Sequence, residues 1–201
     1  MLWCYDDAIT HDLSSCIDPD GKANRTVKMM GDEGMMGVLA QLQEDRITFP
    51  AIFLQRHDET PLDSSRYNFT RLHKGVATTY DPEKNNIYLE KSAPIDLKYD
   101  LHVLTTNTAD MDELLREILF RYTAMYYITM QVPYESKRKI RFGVAINPNT
   151  PIRRKSGSSE YIESGRLYEA ILELECQGAV LLNYTARHME RVITDDNIIL
   201  H

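Results

Sequence analysis

Ile95-Asp-Leu-Lys-Tyr-Asp-Leu-His-Val103, followed by Asn107 and then Thr108-Ala-Asp-Met-Asp-Glu-Leu-Leu-Arg-Glu-Ile-Leu-Phe-Arg-Tyr-Thr-Ala-Met-Tyr126, decides the fold. In the first stretch Ile95, Leu97, Tyr99, Leu101 and Val103 fall on one face. Asp96, Lys98, Asp100 and His102 fall on the other. Period-two alternation of this length predicts a strand with one buried face and one face that is wet or at a contact. In the second stretch Met111, Leu114, Leu115, Ile118, Leu119, Tyr122, Met125 and Tyr126 recur at helical spacing. This predicts a helix over about 108–126, capped by Asn107, with Asp110 and Glu113 near its positive end. A half-buried strand running into an amphipathic helix points to a sheet with helices laid on it.

The same pattern extends outward in both directions. Upstream, Ala8, Ile9, Leu13, Cys16 and Ile17 predict a helix over 5–17. Residues 25–30 read as a short strand, and 33–43 as a helix with Asp32 as N-cap and Met36, Val38, Leu39 and Leu42 apolar. Residues 47–54 read as a strand. Pro50 cannot donate to a ladder, which places it at an edge or at the strand's beginning. Residues 56–74 are polar and without a clear element, and 86–91 form a short strand.

Downstream, 128–132 read as a strand stopped by Pro133. Ile140, Phe142, Val144 and Ile146 alternate with Lys139, Arg141, Gly143 and Ala145 in another. A second long polar loop is expected over 147–165. Tyr168, Ala170, Leu172 and Leu174 then alternate with Glu169, Glu173 and Glu175. Gly178 punctuates, and 179–184 form a last strand. The prediction is a single α+β domain over 1–186, with a mostly antiparallel twisted sheet, helices packed on one face and two long polar loops. A charged tail follows over 187–201.

Composition narrows the function classes. The chain has 201 residues, 43% hydrophobic and 26% charged, an ordinary globular balance. Thirty acidic against 23 basic residues give a net charge of −7, which argues against a general nucleic-acid binder. No signal-peptide pattern or membrane-length apolar run is present, so no membrane association is expected. Cys4, Cys16 and Cys176 form no C-x-x-C pair and read as reduced, mostly buried thiols. Three glycosylation-type triplets, beginning at Asn24, Asn68 and Asn183, read as chance in a chain without a secretion signal.

No sharp catalytic motif stands out. Phosphate-loop, dinucleotide-binding, zinc-protease and nucleophile-elbow patterns are absent from the sequence. Gly157-Ser-Ser-Glu160 resembles a phosphate nest only loosely. His57-Asp58-Glu59 is the best acid–base or metal candidate, but adjacent residues at a strand end point to alternating sides. Cys176 with His188 is a conceivable nucleophile pair, set against a buried core thiol. The sequence therefore predicts no catalytic, metal or cofactor residues. Its one charge asymmetry is basic. Lys137, Arg138, Lys139 and Arg141, with Arg153, Arg154 and Lys155, hold seven of the 23 positive charges. They read as a solvated face, or as a docking surface for an acidic partner or DNA phosphates.

Three segments carry a resemblance. They are the opening helix Tyr5-Asp-Asp-Ala-Ile-Thr-His-Asp-Leu13, the strand Phe49-Pro-Ala-Ile-Phe-Leu54 before a polar loop, and Tyr99-Asp-Leu-His-Val-Leu104 leading into Met111-Asp-Glu-Leu-Leu-Arg-Glu-Ile-Leu119. In order and texture they are similar to the tail-terminator and tail-completion proteins at the head–tail joint of tailed bacteriophages. The resemblance implies a structural virion protein, assembled in the host cytoplasm and not an enzyme. It implies a ring, typically hexameric, that caps the tail tube and joins the tail to the neck. Implied partners are further copies of the chain, tail-tube, sheath or connector proteins, and double-stranded DNA passing a lumen without specific binding. The family has no catalytic residues to carry over. Other neck or baseplate components are the neighbouring alternative. A small hydrolase or nuclease using His57, Asp58 and Glu59, and a soluble adaptor, are the alternatives from other classes.

Overall fold

The computed structural model describes residues 2–17, 25–31, 34–43, 47–58, 76–81, 83, 86–131, 139–158 and 166–188. Helix α1 spans Trp3–Ile17, followed by strand β1 (Thr26–Met29), helix α2 (Gly34–Gln43) and strand β2 (Ala51–Arg56). Strands β3 (Val76–Asp81) and β4 (Asn86–Thr105) precede helix α3 (Thr108–Tyr122). Strands β5 (Tyr126–Gln131), β6 (Lys139–Ile146), β7 (Arg153–Ser158) and β8 (Arg166–His188) complete the order. The architecture is α+β, with one sheet in the order β1-β2-β4-β8-β6-β5, β3 added to β4 and β7 added to β8. Only β1 and β2 pair in parallel; every other pair is antiparallel.

The alternating stretch lies at the centre of this sheet. Leu97, Tyr99, Leu101 and Val103 of β4 are fully buried, and so are Leu172 and Leu174 of β8 opposite them. Met111, Leu114, Leu115, Ile118 and Tyr122 of α3, with Tyr5, Ile9, Leu13 and Ile17 of α1, close over that face. Ile52 and Leu54 of β2 point into the same core. Ala51 and Phe53 point the other way and join Val38 of α2, Ile47 and Leu104 in a smaller cluster. The alternation of β2 is thus used on both faces.

Several boundaries differ from the sequence expectation, each for a physical reason. The stretches 86–91 and 95–103 are parts of one strand, β4, with Pro94 inside it. The strand tolerates that proline because β3 pairs with β4 only up to Glu90 and β2 only from Tyr99 onward. In between, one side of β4 has no strand among the described residues to receive an N–H, and Pro94 sits opposite Ala179 as on an edge. The two stretches flanking Gly178 are likewise one strand, β8. Gly178 does not break it. A Cβ there would meet the Tyr5 ring at 3.0 Å, so glycine makes room for a side chain crossing the strand.

The Tyr5 hydroxyl then donates to the Ala179 carbonyl and accepts from the Ala179 N–H, both at 2.8 Å. Burial pushes this phenol up to about 12. It serves as donor and acceptor for β8 just past Gln177, where the pairing with β6 ends.

Helix α3 stops at Tyr122, four residues early, and Tyr126 starts β5 instead. Asn107 caps it as expected, accepting from the Asp110 N–H at 2.8 Å. The polar loop expected at 147–165 contains a strand, β7, whose alternation is invisible because Arg153-Arg-Lys-Ser-Gly-Ser158 has no apolar member. Strand β3 was unread for a similar reason, since Val76-Ala-Thr-Thr-Tyr-Asp81 is short and mostly polar. Strand β8 runs through His188, so Arg187 and His188 pair with Ile87 and Asn86 and belong to the sheet. Pro50 sits immediately before β2, at the strand's beginning. Met36, read as apolar helix face, is 73% exposed. Asp32, the rest of the expected loop beyond Asp58 as far as residue 74, and the tail from residue 189 lie outside the described residues.

Two carboxylates key α1 to its neighbours. Asp6 accepts from Arg56 Nη1 of β2 at 2.6 Å and from the Tyr99 hydroxyl of β4 at 2.9 Å. Asp12 accepts from Arg121 Nε at 3.0 Å and from the Tyr122 hydroxyl at 2.5 Å, both on α3. Burial, with the bond to Asp12, raises the Tyr122 phenol well above its usual value. Truncating Leu101 or Ile118 to alanine is expected to cost about 2–5 kcal/mol in urea denaturation, as cavity-forming changes do. Asp12→Ala leaves two donors without an acceptor and is expected to cost about 1–3 kcal/mol in the same measurement.

Candidate interaction surface

The five described basic residues of the seven do not form one patch. Lys137 and Arg138 lie outside the described residues. Lys139 and Arg141 are exposed on β6, with the Arg141 guanidinium stacked 4.5 Å from the centre of the Tyr127 ring. Arg153, Arg154 and Lys155 are on β7, which pairs with a different part of β8. Gly143 lies opposite Gln177 and Arg153 opposite Ile171. At about 3.3 Å per residue the two groups are separated by roughly 20 Å along β8.

Because β7 is a strand, its three cations divide between the two faces of the sheet. Arg154 points to the helical side and meets Asp112 of α3 at 3.0 Å. Arg153 and Lys155 point to the other side, 3.9 Å from Asp100 and 3.9 Å from Glu169 respectively. All three cations remain more than half exposed, so these pairs hold β7 loosely and leave the charges available.

The face of β4 expected to be wet carries a polar row. His102 is only 8% exposed, and its Nδ1 lies 2.8 Å from Glu169 Oε1. That bond holds the Glu169 carboxyl below its usual range. Further along, burial works against a charged Glu173. Hydrogen bonds from Asn147 (2.7 Å), Lys98 (3.1 Å) and Thr150 (3.0 Å) outweigh it and keep the carboxyl low. The sequence showed these residues as alternating charges but not their partners, which come from strands far away in the chain.

His57, Asp58 and Glu59 are not brought together. His57 Nε2 lies 3.2 Å from Asp100 Oδ1, Asp58 is exposed, and Glu59 is outside the described residues. Among the described residues no group of three histidine, cysteine or carboxylate side chains is placed to hold a metal ion. Cys176 is buried on β8, and burial pushes its thiol up to about 12. His188 is on the same strand, roughly 40 Å away at a strand's rise, so the two do not form a nucleophile pair. All three cysteines are free thiols, Cys4 and Cys176 buried and Cys16 half-buried. Gly157 and Ser158 end β7, and Ser159 and Glu160 lie outside the described residues.

A furrow that sequence reading missed runs between α3 and β7. It consists of two adjoining hollows of about 230 and 520 Å³, which share Asp112 and Arg154. Met111 and Tyr168 line one; Leu115, Leu119 and Phe120 line the other. Phe120 is 92% exposed at its rim. Arg116, also on the rim, has no ion pair among the described residues. Phe120 is readable in the sequence only as an aromatic off the apolar stripe of α3.

The chain matches no protein-family model, and no curated protein is significantly similar to it. No helix among the described residues is long and apolar enough to cross a membrane.

Glu169 and Glu173 set the expected acid response. Both carboxyls are lowered from an ordinary value of 4.5. The unfolded chain therefore takes up protons first as pH falls. The stability these groups contribute is present above about 4.5 and is lost as pH falls through their lower folded-state values. Glu169→Gln is expected to flatten the fall of Tm below pH 4.5, measured by thermal denaturation across pH.

Proposed function

We propose that this chain is a structural virion protein that forms a ring, hexameric by the family resemblance, at the end of a phage tail tube and joins the tail to the neck. The observation that carries the reading is the shape of the sheet. Among the described residues β8 beyond Gln177 is paired on one side only, with β4, and β3 pairs with the same end of β4. This builds a three-stranded arm of residues 76–81, 86–94 and 179–188 that extends past the pairing zones of β2 and β6. An arm on a compact α+β domain suits a subunit that must reach its neighbours around a ring.

The exposed cations of β7 support the same reading. Charges of both signs on different surfaces permit head-to-tail contacts that close on themselves. Tail-tube, sheath or connector proteins are the proposed partners beyond the ring, and the assembled virion is the proposed location. The net charge of −7 would repel DNA phosphates in a lumen and let the duplex pass without being gripped. The hydrolase or nuclease alternative gains nothing from His57, whose partner is Asp100 rather than Asp58. The carboxylate-held imidazole of His102 has a buried Nε2, out of reach of a substrate.

Reversing Arg153 and Arg154 to glutamate tests the reading in assembling particles. The variant is expected to stay folded, because exposed ion pairs contribute at most about 1 kcal/mol each. Heads and tails are expected to remain unjoined, with free tails accumulating in electron micrographs. Normal infectious particles at every salt concentration, or tight salt-resistant DNA binding by the pure protein, would sink the proposal.

A further inference from the structure

The furrow between α3 and β7 has a definite order of chemistry along it. A mixed hollow comes first, where Met111 and Tyr168 lie among Thr108, Asp112 and Ser156, then Arg154 at the junction, then a second hollow whose apolar members are Leu115, Leu119 and Phe120. Residues 189–201 read Met-Glu-Arg-Val-Ile-Thr-Asp-Asp-Asn-Ile-Ile-Leu-His. Here two apolar groups flank a charged centre: Val192-Ile193, then Asp195-Asp196, then Ile198-Ile199-Leu200. The segment's two carboxylates are opposite in sign to Arg154 and Arg116, which share the furrow with the Asp112 carboxylate. The Arg154–Asp112 pair does not block this, because both side chains are more than 60% exposed and exchange partners at little cost.

The length of β8 decides which copy's furrow the segment can reach. Arg154 lies opposite Ala170, near one end of β8, and the segment follows His188, the last described residue at the other end. From Ala170 to His188 the strand spans about 60 Å at ~3.3 Å per residue. Fully stretched, the chain from His188 to Asp195 covers about 25 Å. The curl of the sheet would have to fold that span by more than half for a subunit to fill its own furrow.

We propose that residues 189–201 of one copy dock in the α3–β7 furrow of a neighbouring copy, with Asp195 and Asp196 on Arg154 and Arg116, and Ile198-Ile199-Leu200 against Phe120. The contact is heterologous: each subunit offers a segment at the end of its arm and a furrow at the opposite end of its core. Such contacts propagate head to tail until a rotation closes them. The inference shares with the proposed function the premise that copies of the chain meet. It does not depend on where in a particle they do so.

Two full-length variants test it. One carries Asp195→Arg, Asp196→Arg and Ile199→Asp, which disables the segment and leaves the furrow intact. The other carries Phe120→Asp and Arg116→Glu, which disables the furrow and leaves the segment intact. All five positions are outside the described core, so circular dichroism is expected to show both variants folded. A fluorescent synthetic peptide of residues 189–201 is expected to bind the first variant saturably, and more weakly as salt rises. It is expected to bind the second about tenfold more weakly or worse, as when a charge pair at a contact loses one partner. Mixed, the two variants are expected to stop at a heterodimer in analytical ultracentrifugation, since only one segment–furrow contact can form between them. Absence of peptide binding, or equal binding to both variants, would overturn the docking. Peptide binding without a heterodimer would overturn its exchange between copies. Peptide binding by a chain whose wild type never forms a closed oligomer would leave the docking intact and sink the ring instead.

Discussion

The antiparallel ladder between β4 and β8 is the constraint on which the rest of the molecule depends. It runs from Asn86 opposite His188 to Thr105 opposite Tyr168, with one irregularity at Lys91–Ser92. Because side chains alternate along both strands, a single register fixes two surfaces at once. One is the apolar face that α1 and α3 cover. The other is the polar row in which His102 meets Glu169 and Lys98 meets Glu173. A slip of one residue would place Leu101 and Leu172 on the polar side and strand those charges in the core. The shorter strands are attached to this ladder in pairs. β2 and β3 share the outer side of β4, and β6 and β7 share the outer side of β8.

Polar keys then determine how the helices sit on the ladder. Burying apolar surface is non-directional and would let α1 slide. Asp6 and Asp12 remove that freedom, since each needs donors from two residues at fixed places on β2, β4 or α3. Strand β7, beside β8, is the reverse case. It contributes no apolar side chain and is held by its backbone ladder and by exposed ion pairs.

How much of this was legible depends on whether a residue's partner lies nearby in sequence. The alternation of 95–103 and the cap and stripe of α3 are local; the buried face of the strand agrees with the structure, and that of the helix does as far as Tyr122, while Met125 is exposed and Tyr126 belongs to β5. The α+β class followed from them. Pro94 and Gly178 looked like breaks because their local preferences are against strand interiors. Their actual reasons, an unpaired side of β4 and the ring of Tyr5, lie elsewhere in the fold. The sequence happened to yield the right count of helices and strands for partly wrong pieces: two long strands were each divided in two, while β3 and β7 were passed over. Of the basic surface, the sequence showed composition and not geometry. The five described cations become separate groups, and the three on β7 split between two faces because a strand alternates.

The bond between Tyr5 and Ala179 joins residues 174 positions apart. During synthesis α1 emerges long before β8, and β4 emerges with the apolar face that β8 will later flank still open. The opening helix is therefore made long before the glycine gap and backbone groups that will fasten it exist. Contacts this distant in sequence close late and slowly. While the chain is still on the ribosome, its largest apolar surfaces lack their partners, and that interval is when such a polypeptide is most open to misassociation. Completion of β8 seals the first helix, the central ladder and the base of the arm in one event. The nascent chain therefore presents these finished surfaces only after β8 has been made.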